Sequence, residues 1–477
     1  MSEGDLREGT IRRRRRRFAL ALFAIALAPR LWVALGSGWA PEPVWDGFYY
    51  DIGAQSIAAG RGYVGENGNP WCHYPVGYSA FLGAAYALFG SAPAVGKVAG
   101  AVVGAWLAVA VYALGRRFLS ETRARIAGGL VAAYPGLVLY AGLHMTEPLS
   151  AALIIAAALA AARARATRER DPTRSWRADG WRALPAGVLF GLATLVRPQS
   201  ILLAPFSGVW FRARPVRRQV FAGVVSTAAA LLVVSPWTVR NCLVMDGCAF
   251  VSTNGGWNLA IGAFPRATGR FETLRSGDGC HIVTGQVQQD RCWVERGRGW
   301  IREDPVRWVR LMPKKLGFTF DHESFPVGYL GTAAPGRWSP ERSRWARGLL
   351  SWSHRLLLTM ATLAALPRPS RRRPQSLLAP LLVALYAWYA AWTPPFPFWP
   401  LALMMVAAVA VRWPTLWRRR PTLVFSALIV ASLVVVHAVF FGEDRYHLVA
   451  TPWLCLMAAS LPPGPRAAEG APSSAAT

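Results

Sequence analysis

Acidic residues are scarce in this chain of 477 residues: 25 Asp and Glu stand against 53 Lys and Arg, a formal net charge of +28. Lysine is nearly missing, since only Lys97, Lys314 and Lys315 occur, so the positive charge is almost entirely arginine. A surplus of this size points to nucleic acid when it covers one face. Here it falls in short runs between apolar stretches, the pattern of loops anchored at the cytoplasmic surface of a membrane, and no nucleic-acid partner is expected. There is no Walker motif, no C-x-x-C or H-x-x-x-H spacing and no obvious repeat between the two halves. These absences speak against an ATP-driven pump, a zinc motif and a transporter built from repeats. No cofactor is expected; a divalent metal is a rival reading that no motif supports, and Asp321-His322-Glu323 is an isolated cluster of weak value.

Apolar residues are abundant instead. They make up 53% of the chain, with 22 Trp and a positive mean hydropathy, too apolar for a soluble protein of this length. The chain reads as an all-α polytopic membrane protein. Stretches of suitable length and polarity fall at 18–36, 92–114, 126–143, 148–164, 184–196, 201–211, 220–237, 349–366, 377–391, 399–411, 423–441 and 447–461, about twelve spans. The short pair around Arg197 could instead be a re-entrant hairpin, which would lower the count by two. With the N-terminus in the cytoplasm, alternate loops should be rich in Arg, and 12–17, 116–117, 163–182, 212–218, 368–373 and 418–420 obey this without a slip. The other connections, 37–91, 144–147, 240–345, 393–398 and 442–446, are then extracytoplasmic. Residues 12–28 also fit a secretory signal, but the apolar run resumes after Arg30, which favours an uncleaved first helix.

The organisation that follows is a basic cytoplasmic N-terminus (1–17), an N-terminal transmembrane catalytic module (18–237) containing the first external loop (37–91), and a long extracytoplasmic loop (238–345). C-terminal transmembrane helices (346–461) and a disordered cytoplasmic tail (462–477) complete it. Cysteine usage agrees with this topology. Cys72, Cys242, Cys248, Cys280 and Cys292 all fall outside, where thiols can pair, and the close spacings predict the bridges Cys242–Cys248 and Cys280–Cys292.

The first external loop carries WDGFYYDIGAQSIAAGRGY, from Trp45 to Tyr63. Tyr50, Ala54 and Ile57 recur on one helical face until Gly60 ends the helix, with Asp46 one turn before Tyr50. Asp46 suits an N-cap, and Asp51 reads as a solvated surface residue. Thr146-Glu147-Pro148 reads as a helix start. The segment EDPVRWVRLMPKK, opened by Asp304 and Pro305, reads as an interfacial amphipathic helix with Val306, Val309 and Met312 on one side and Arg307, Arg310, Lys314 and Lys315 elsewhere.

The order D-x-x-x-Y-x-x-x-A-x-x-I-x-x-G from Asp46 to Gly60, followed by YPVGYSAFLGAAYALFG from Tyr74, resembles the first external loop of the GT-C membrane glycosyltransferases. The branch it is most similar to is the protein-O-mannosyltransferase and aminoarabinose-transferase type. AAYPGLVLYAGLHMTEPL from Ala132, GLATLVRPQSILLAP from Gly191, SPWTVRN from Ser235, STNGGWNLAIGAFPRATG from Ser252 and EDRYHLVATP from Glu443 match in the same order. The resemblance implies a hexosyl- or pentosyltransferase that moves a sugar from a polyprenyl-phosphate carrier to a lipid, glycan or protein acceptor, with inversion, on the external face of a bacterial-type inner membrane. It maps the family's catalytic acid onto Asp46. Many members carry Asp-Glu there, whereas Gly47 follows Asp46 here, and Tyr74-Pro75-Val76 stands where relatives often show Lys or Tyr before two prolines. His73 could supply the cation that is missing.

That chemistry needs a carboxylate to take the proton of the acceptor hydroxyl and cations to neutralise the departing phosphate. Asp46 is the candidate base. Arg240 and Arg445, at the outer ends of predicted spans, are candidate phosphate ligands together with His447 and His73. Glu147 and Tyr50 are candidates for orienting roles, and Arg197 is a weaker site candidate. The alternative reading is a multi-pass transporter or lipid flippase, in which the intramembrane charges Arg30 and Arg197 would mark a pathway.

Overall fold

The computed structural model describes residues 3–36, 42–170, 176–210, 216–281, 285–367 and 374–461. The predicted tail 462–477 and parts of the Arg-rich segments 163–182, 212–218 and 368–373 lie outside the described residues. Among the described residues there is no strand, only two isolated bridges, Val64–Pro70 and Arg270–Gly442. The all-α reading holds.

Among the described residues six helices are long and apolar enough to cross a membrane: Glu8–Leu35, Pro93–Gly115, Glu147–Ala164, Arg217–Val244, Gln375–Trp392 and Pro421–Val439. The helices Glu121–Ala133 and Pro135–Gly142 make a seventh if taken as one span, bent by 52°. The bend falls at Tyr134, which adopts extended geometry (φ −62°, ψ 117°), as a residue before proline must.

The remaining apolar stretches depart from the expected regular spans. Residues 184–196 and 399–410 are helical over 13 and 12 residues, about 20 Å at a rise of roughly 1.5 Å per residue, short of a hydrocarbon core about 30 Å thick. Residues Pro198–Trp210 form a 3₁₀ run with Pro205 inside it. The expected span 447–461 is a 3₁₀ turn, Tyr446–Val449, followed by the buried eight-residue helix Thr451–Ala458. Residues 349–366 belong to the helix Pro340–Ala365, which buries His354 and Arg355. Apolar composition alone had suggested twelve crossings, because a buried broken segment and a lipid-facing helix have the same hydropathy.

Small residues let the backbones meet. A Cβ at Gly187 would stand 2.4 Å from the Ser226 carbonyl, and one at Gly223 would stand 2.3 Å from that of Pro205. The helix Leu184–Val196, the 3₁₀ run and the helix Arg217–Val244 therefore pack backbone to backbone. Between them and the C-terminal helices, Trp210, Phe425 and Trp453 form an aromatic core, with centroids 5.3 Å (Trp210–Phe425) and 5.2 Å (Phe425–Trp453) apart.

Segments that the arginine pattern assigns to the same face meet one another. Arg15, Arg116 and Arg125 converge on Glu121 at 3.2, 3.4 and 3.2 Å. The segments assigned to the opposite face meet one another: Arg240 reaches Tyr63 and Trp71, the Cys72 amide reaches Gln286, and Arg445 reaches Asp46. Cys242 is bonded to Cys248 and Cys280 to Cys292. The second bridge sits in a small core of the long loop with Phe264, Trp293 and Trp300, which extends to Phe441 and Tyr446.

Asp304 does cap the helix Pro305–Phe320, accepting from the Arg307 amide at 2.8 Å, and Val306 and Val309 are exposed. Lys315 is a correction to the interfacial reading. It is buried, and its ammonium donates to the carbonyls of Val439 (3.0 Å) and Ala438 (3.3 Å) at the C-terminal end of the helix Pro421–Val439, where the dipole favours a cation.

Candidate active site

The helix Asp46–Ala58 starts abruptly. Trp45 holds a left-handed φ of 53°, a conformation that costs a non-glycine residue about 1–3 kcal/mol. Its indole is fixed by Phe325 and Tyr329, with centroids at 5.5 and 5.8 Å. Asp46 is thus the first helical residue, not the cap, and its side chain makes no capping bond.

The Asp46 carboxylate lies between two donors. Tyr74 Oη donates to Oδ1 at 3.0 Å, and the Arg445 guanidinium donates to Oδ2. The Asp46 side chain as a whole remains 25% exposed. Burial by itself would raise the Asp46 carboxyl, but the charge and hydrogen bond of Arg445, with help from Tyr74 and His73, hold it below the usual carboxylate range. Arg445 also faces Glu443, 2.7 Å from its Nε, and its guanidinium lies over Phe325 (4.9 Å) and Tyr446 (5.1 Å). Glu443 is pushed up by burial against the pull of Arg445.

Position 47 is closed to side chains. A Cβ there would stand 2.2 Å from Tyr329 Oη and 3.0 Å from the His144 carbonyl. The second acid that many relatives carry has no room here.

Tyr74 stacks on Tyr49 (5.5 Å, 23°) and meets Tyr50 edge-on at 5.3 Å. Tyr50 is buried between Tyr74 and Tyr78 and supports the wall behind Asp46. His73 lies edge-on to Tyr74 and Trp257, at 4.9 and 5.9 Å. Burial lowers the His73 pKa more than the Asp46 charge raises it.

Glu147 joins the site through a chain of contacts. It begins the helix Glu147–Arg170, as expected, and it is fully buried. Arg197 donates to it at 2.7 Å and to Thr146 Oγ1 at 3.0 Å. The Arg197 guanidinium lies 5.3 Å from the Tyr446 ring, so Tyr446 is flanked by Arg197 and Arg445. Arg197, the weaker candidate, has an acidic partner. Arg30 is also engaged, donating to the carbonyls of Ala26, Ala132 and Val131 at 2.7, 2.9 and 3.0 Å, which clamps helices together instead of marking a pathway.

Two candidate phosphate ligands stand apart. Arg240 donates to the carbonyls of Trp71 (2.9 Å) and Tyr63 (3.0 Å), and to Asn241 Oδ1 (3.1 Å), which pins the first external loop to the helix Arg217–Val244. His447 is fully buried, with Nδ1 on the Thr319 carbonyl at 2.7 Å and Nε2 3.2 Å from Glu323 Oε2, so it does not face outward beside Arg445. Asp51 is the clearest correction. It is 6% exposed, accepts from Tyr86 Oη and Gln55 Nε2 (2.6 Å), and lies 3.3 Å from His144 Nδ1. Five steps of about 100° do turn it away from Asp46, but towards protein and not solvent. Tyr74, Glu443 and Tyr446 were not singled out as site residues, although the EDRYH motif contains two of them.

Residues 73–239 match the dolichyl-phosphate-mannose-protein mannosyltransferase family. This match bears out the resemblance to the GT-C membrane glycosyltransferases. No curated protein matches the chain. Among solved structures it is similar to the archaeal oligosaccharyltransferase AglB from Archaeoglobus fulgidus, in complex with an inhibitory peptide and a dolichol-phosphate. That likeness has 14% identity and a TM-score of 0.45, and covers 92% of this chain and 50% of that one. The same enzyme tethered to an acceptor peptide gives 14% identity, a TM-score of 0.45, and coverage of 92% and 49%. The chain spans about half the length of these proteins.

Proposed function

We propose that this protein transfers a sugar from a polyprenyl-phosphate carrier to an extracytoplasmic acceptor, with inversion at the anomeric carbon and Asp46 as general base. The observation that carries the reading is the Asp46–Arg445 pair: a carboxylate on a partly exposed side chain and a guanidinium, the two charges such a transfer needs, held side by side. The match of residues 73–239 to the mannosyltransferase family supports it.

In the donor-free state Arg445 binds Asp46 and keeps it ionised. An arriving phosphate attracts the same guanidinium through charge-assisted bonds, which frees a carboxylate oxygen for the acceptor hydroxyl. The acceptor oxygen then attacks the anomeric carbon, the bond from that carbon to the phosphate oxygen breaks, and the hydroxyl proton passes to Asp46. The polyprenyl phosphate leaves with its added negative charge against Arg445. An apolar cleft lined by Pro29, Trp32, Val33, Leu139, Trp338 and Leu349 suits the isoprenoid chain. Leu139 precedes Tyr140, which stacks on Phe325 beneath Arg445.

The site faces the extracytoplasmic side of a bacterial-type inner membrane in this reading, in keeping with the alternation of the short arginine-rich loops; the long loop 240–345 is itself rich in Arg but exceeds the length over which that bias acts. The test is transfer from polyprenyl-phosphate hexoses and pentoses by the purified chain, together with mass spectrometry of glycolipids and glycoproteins from cells with and without the gene. No lipid-linked donor consumed, and no glycan changed, would reject the assignment.

A further inference from the structure

Glu323, His354 and His447 come from three separate segments: the turn after the helix Pro305–Phe320, the helix Pro340–Ala365 and the turn Tyr446–Val449. All three are buried, at 1%, 0% and 0% exposure, and one ligand atom from each lies within 4.8 Å of the others. The imidazoles stack with centroids 3.7 Å apart.

The hydrogen bonds set the tautomers. His447 Nδ1 faces the Thr319 carbonyl at 2.7 Å, and His354 Nε2 faces the Phe320 carbonyl at 2.9 Å. A carbonyl only accepts, so each of these nitrogens carries the ring proton. The other two nitrogens, His447 Nε2 and His354 Nδ1, then present lone pairs. His447 Nε2 lies 3.2 Å from Glu323 Oε2, an acceptor beside an acceptor. His354 Nδ1 and Glu323 Oε1 are buried with no hydrogen-bond partner among the described residues. Three converging acceptors in a dry site call for a positive centre between them.

We propose that Glu323, His354 and His447 bind a divalent cation of the zinc class. Two neutral imidazoles and one carboxylate suit zinc better than magnesium or calcium, which take oxygen ligands. The 3.2 Å gap between His447 Nε2 and Glu323 Oε2 fits the edge of a tetrahedron with bonds of about 2.0–2.1 Å, roughly 3.3 Å. Each histidine donates its second nitrogen to a backbone carbonyl, the support that metal-bound imidazoles usually have. Tyr134 Oη donates to Glu323 Oε2 and orients the carboxylate in the same way.

The cation would clamp the turn next to the candidate active site. His447 lies two residues after Arg445, and Asp444 already ties the same turn to the Ser324 and Phe325 amides. The site would hold Arg445 over Asp46 without touching a substrate. The inference does not rest on the proposed transfer reaction.

The test uses the full chain, purified without an immobilised-metal step. Elemental mass spectrometry should find about one zinc per wild-type chain, and roughly a tenth of that or less in Glu323→Gln and His354→Ala. Removing the metal from the wild-type chain with a chelator should lower its melting temperature, and added zinc should restore it, a readout that does not require the variants to fold. Added cobalt should give the visible bands of a four-coordinate ion. The proposal is overturned by a wild-type chain that is isolated without metal, binds neither zinc nor cobalt, and melts at the same temperature with chelator or zinc. In that case a proton shared by His447 and Glu323 is the positive centre. Equal metal contents in wild type and both variants would overturn it as well.

Discussion

Asp46 and Arg445 are 399 positions apart in the chain and form an ion pair at the mouth of the first external loop. The pair joins the start of the helix Asp46–Ala58 to the turn that follows the last long apolar helix. One substitution on each side separates the roles of the two residues.

Asp46→Asn keeps the shape of the side chain and one acceptor oxygen but cannot take a proton. Transfer should fall by roughly 10² to 10⁴-fold, the usual worth of a general base, while the variant stays folded and keeps its affinity for the carrier lipid. Steady-state turnover with a lipid-phosphate sugar checks this, and a wild-type rate would leave Asp46 as a structural partner of Arg445.

Arg445→Gln removes the charge that opposes burial at Asp46. The Asp46 carboxyl then rises, its proton is lost only at higher pH, and the acid limb of kcat/KM for the residual activity should move to higher pH. The same pairing stabilises the folded state above the ordinary carboxylate range and is lost as pH falls below it, so Arg445→Gln should also flatten acid unfolding. A pH profile with an unmoved acid limb would show that another group controls it.

Arg197→Ala leaves the buried Glu147 carboxylate without its partner. Removal of one member of such a pair costs roughly 3–5 kcal/mol, whereas Arg197→Met combined with Glu147→Gln should recover most of the loss. Thermal unfolding in detergent measures both. Activity that stays low in the refolded double variant would give Glu147 an orienting role beyond stability.

Arg240→Lys cannot reach both the Tyr63 and Trp71 carbonyls in the fixed geometry of a guanidinium. The expected result is a loss of stability of roughly 1–3 kcal/mol with a donor KM close to that of the wild type. A donor KM raised tenfold or more, with an unchanged melting temperature, would return Arg240 to the phosphate site.

Cys72 is buried beside Thr253, and burial pushes its thiol up to about 11. In the folded chain it should resist maleimide at pH 8 and react after denaturation, when peptide mapping should find Cys242–Cys248 and Cys280–Cys292 still bridged. Rapid labelling of Cys72 in the native protein would contradict this packing.

Patterns with a short repeat were legible in the chain itself. Hydropathy runs, alternating arginine loops, the proline that starts the helix Glu147–Arg170 and the close cysteine pairs each depend on neighbours a few residues away. They sufficed for an all-α membrane protein, whereas the choice of Asp46 as the leading acid came from the resemblance to the GT-C glycosyltransferases and not from these patterns. Tertiary structure decided the rest. Whether 447–461 crosses a membrane or lies buried as a turn and a short helix depends on the helices around it, which hydropathy does not record. Asp51 looked solvated because its covering partners, Tyr86 and His144, come from other segments. Glu323, His354 and His447 carry no spacing motif, since three elements far apart in the chain bring them together. A charge in a membrane protein takes its role from the counter-charge that packing places beside it, and for Asp46 that partner lies at the other end of the chain.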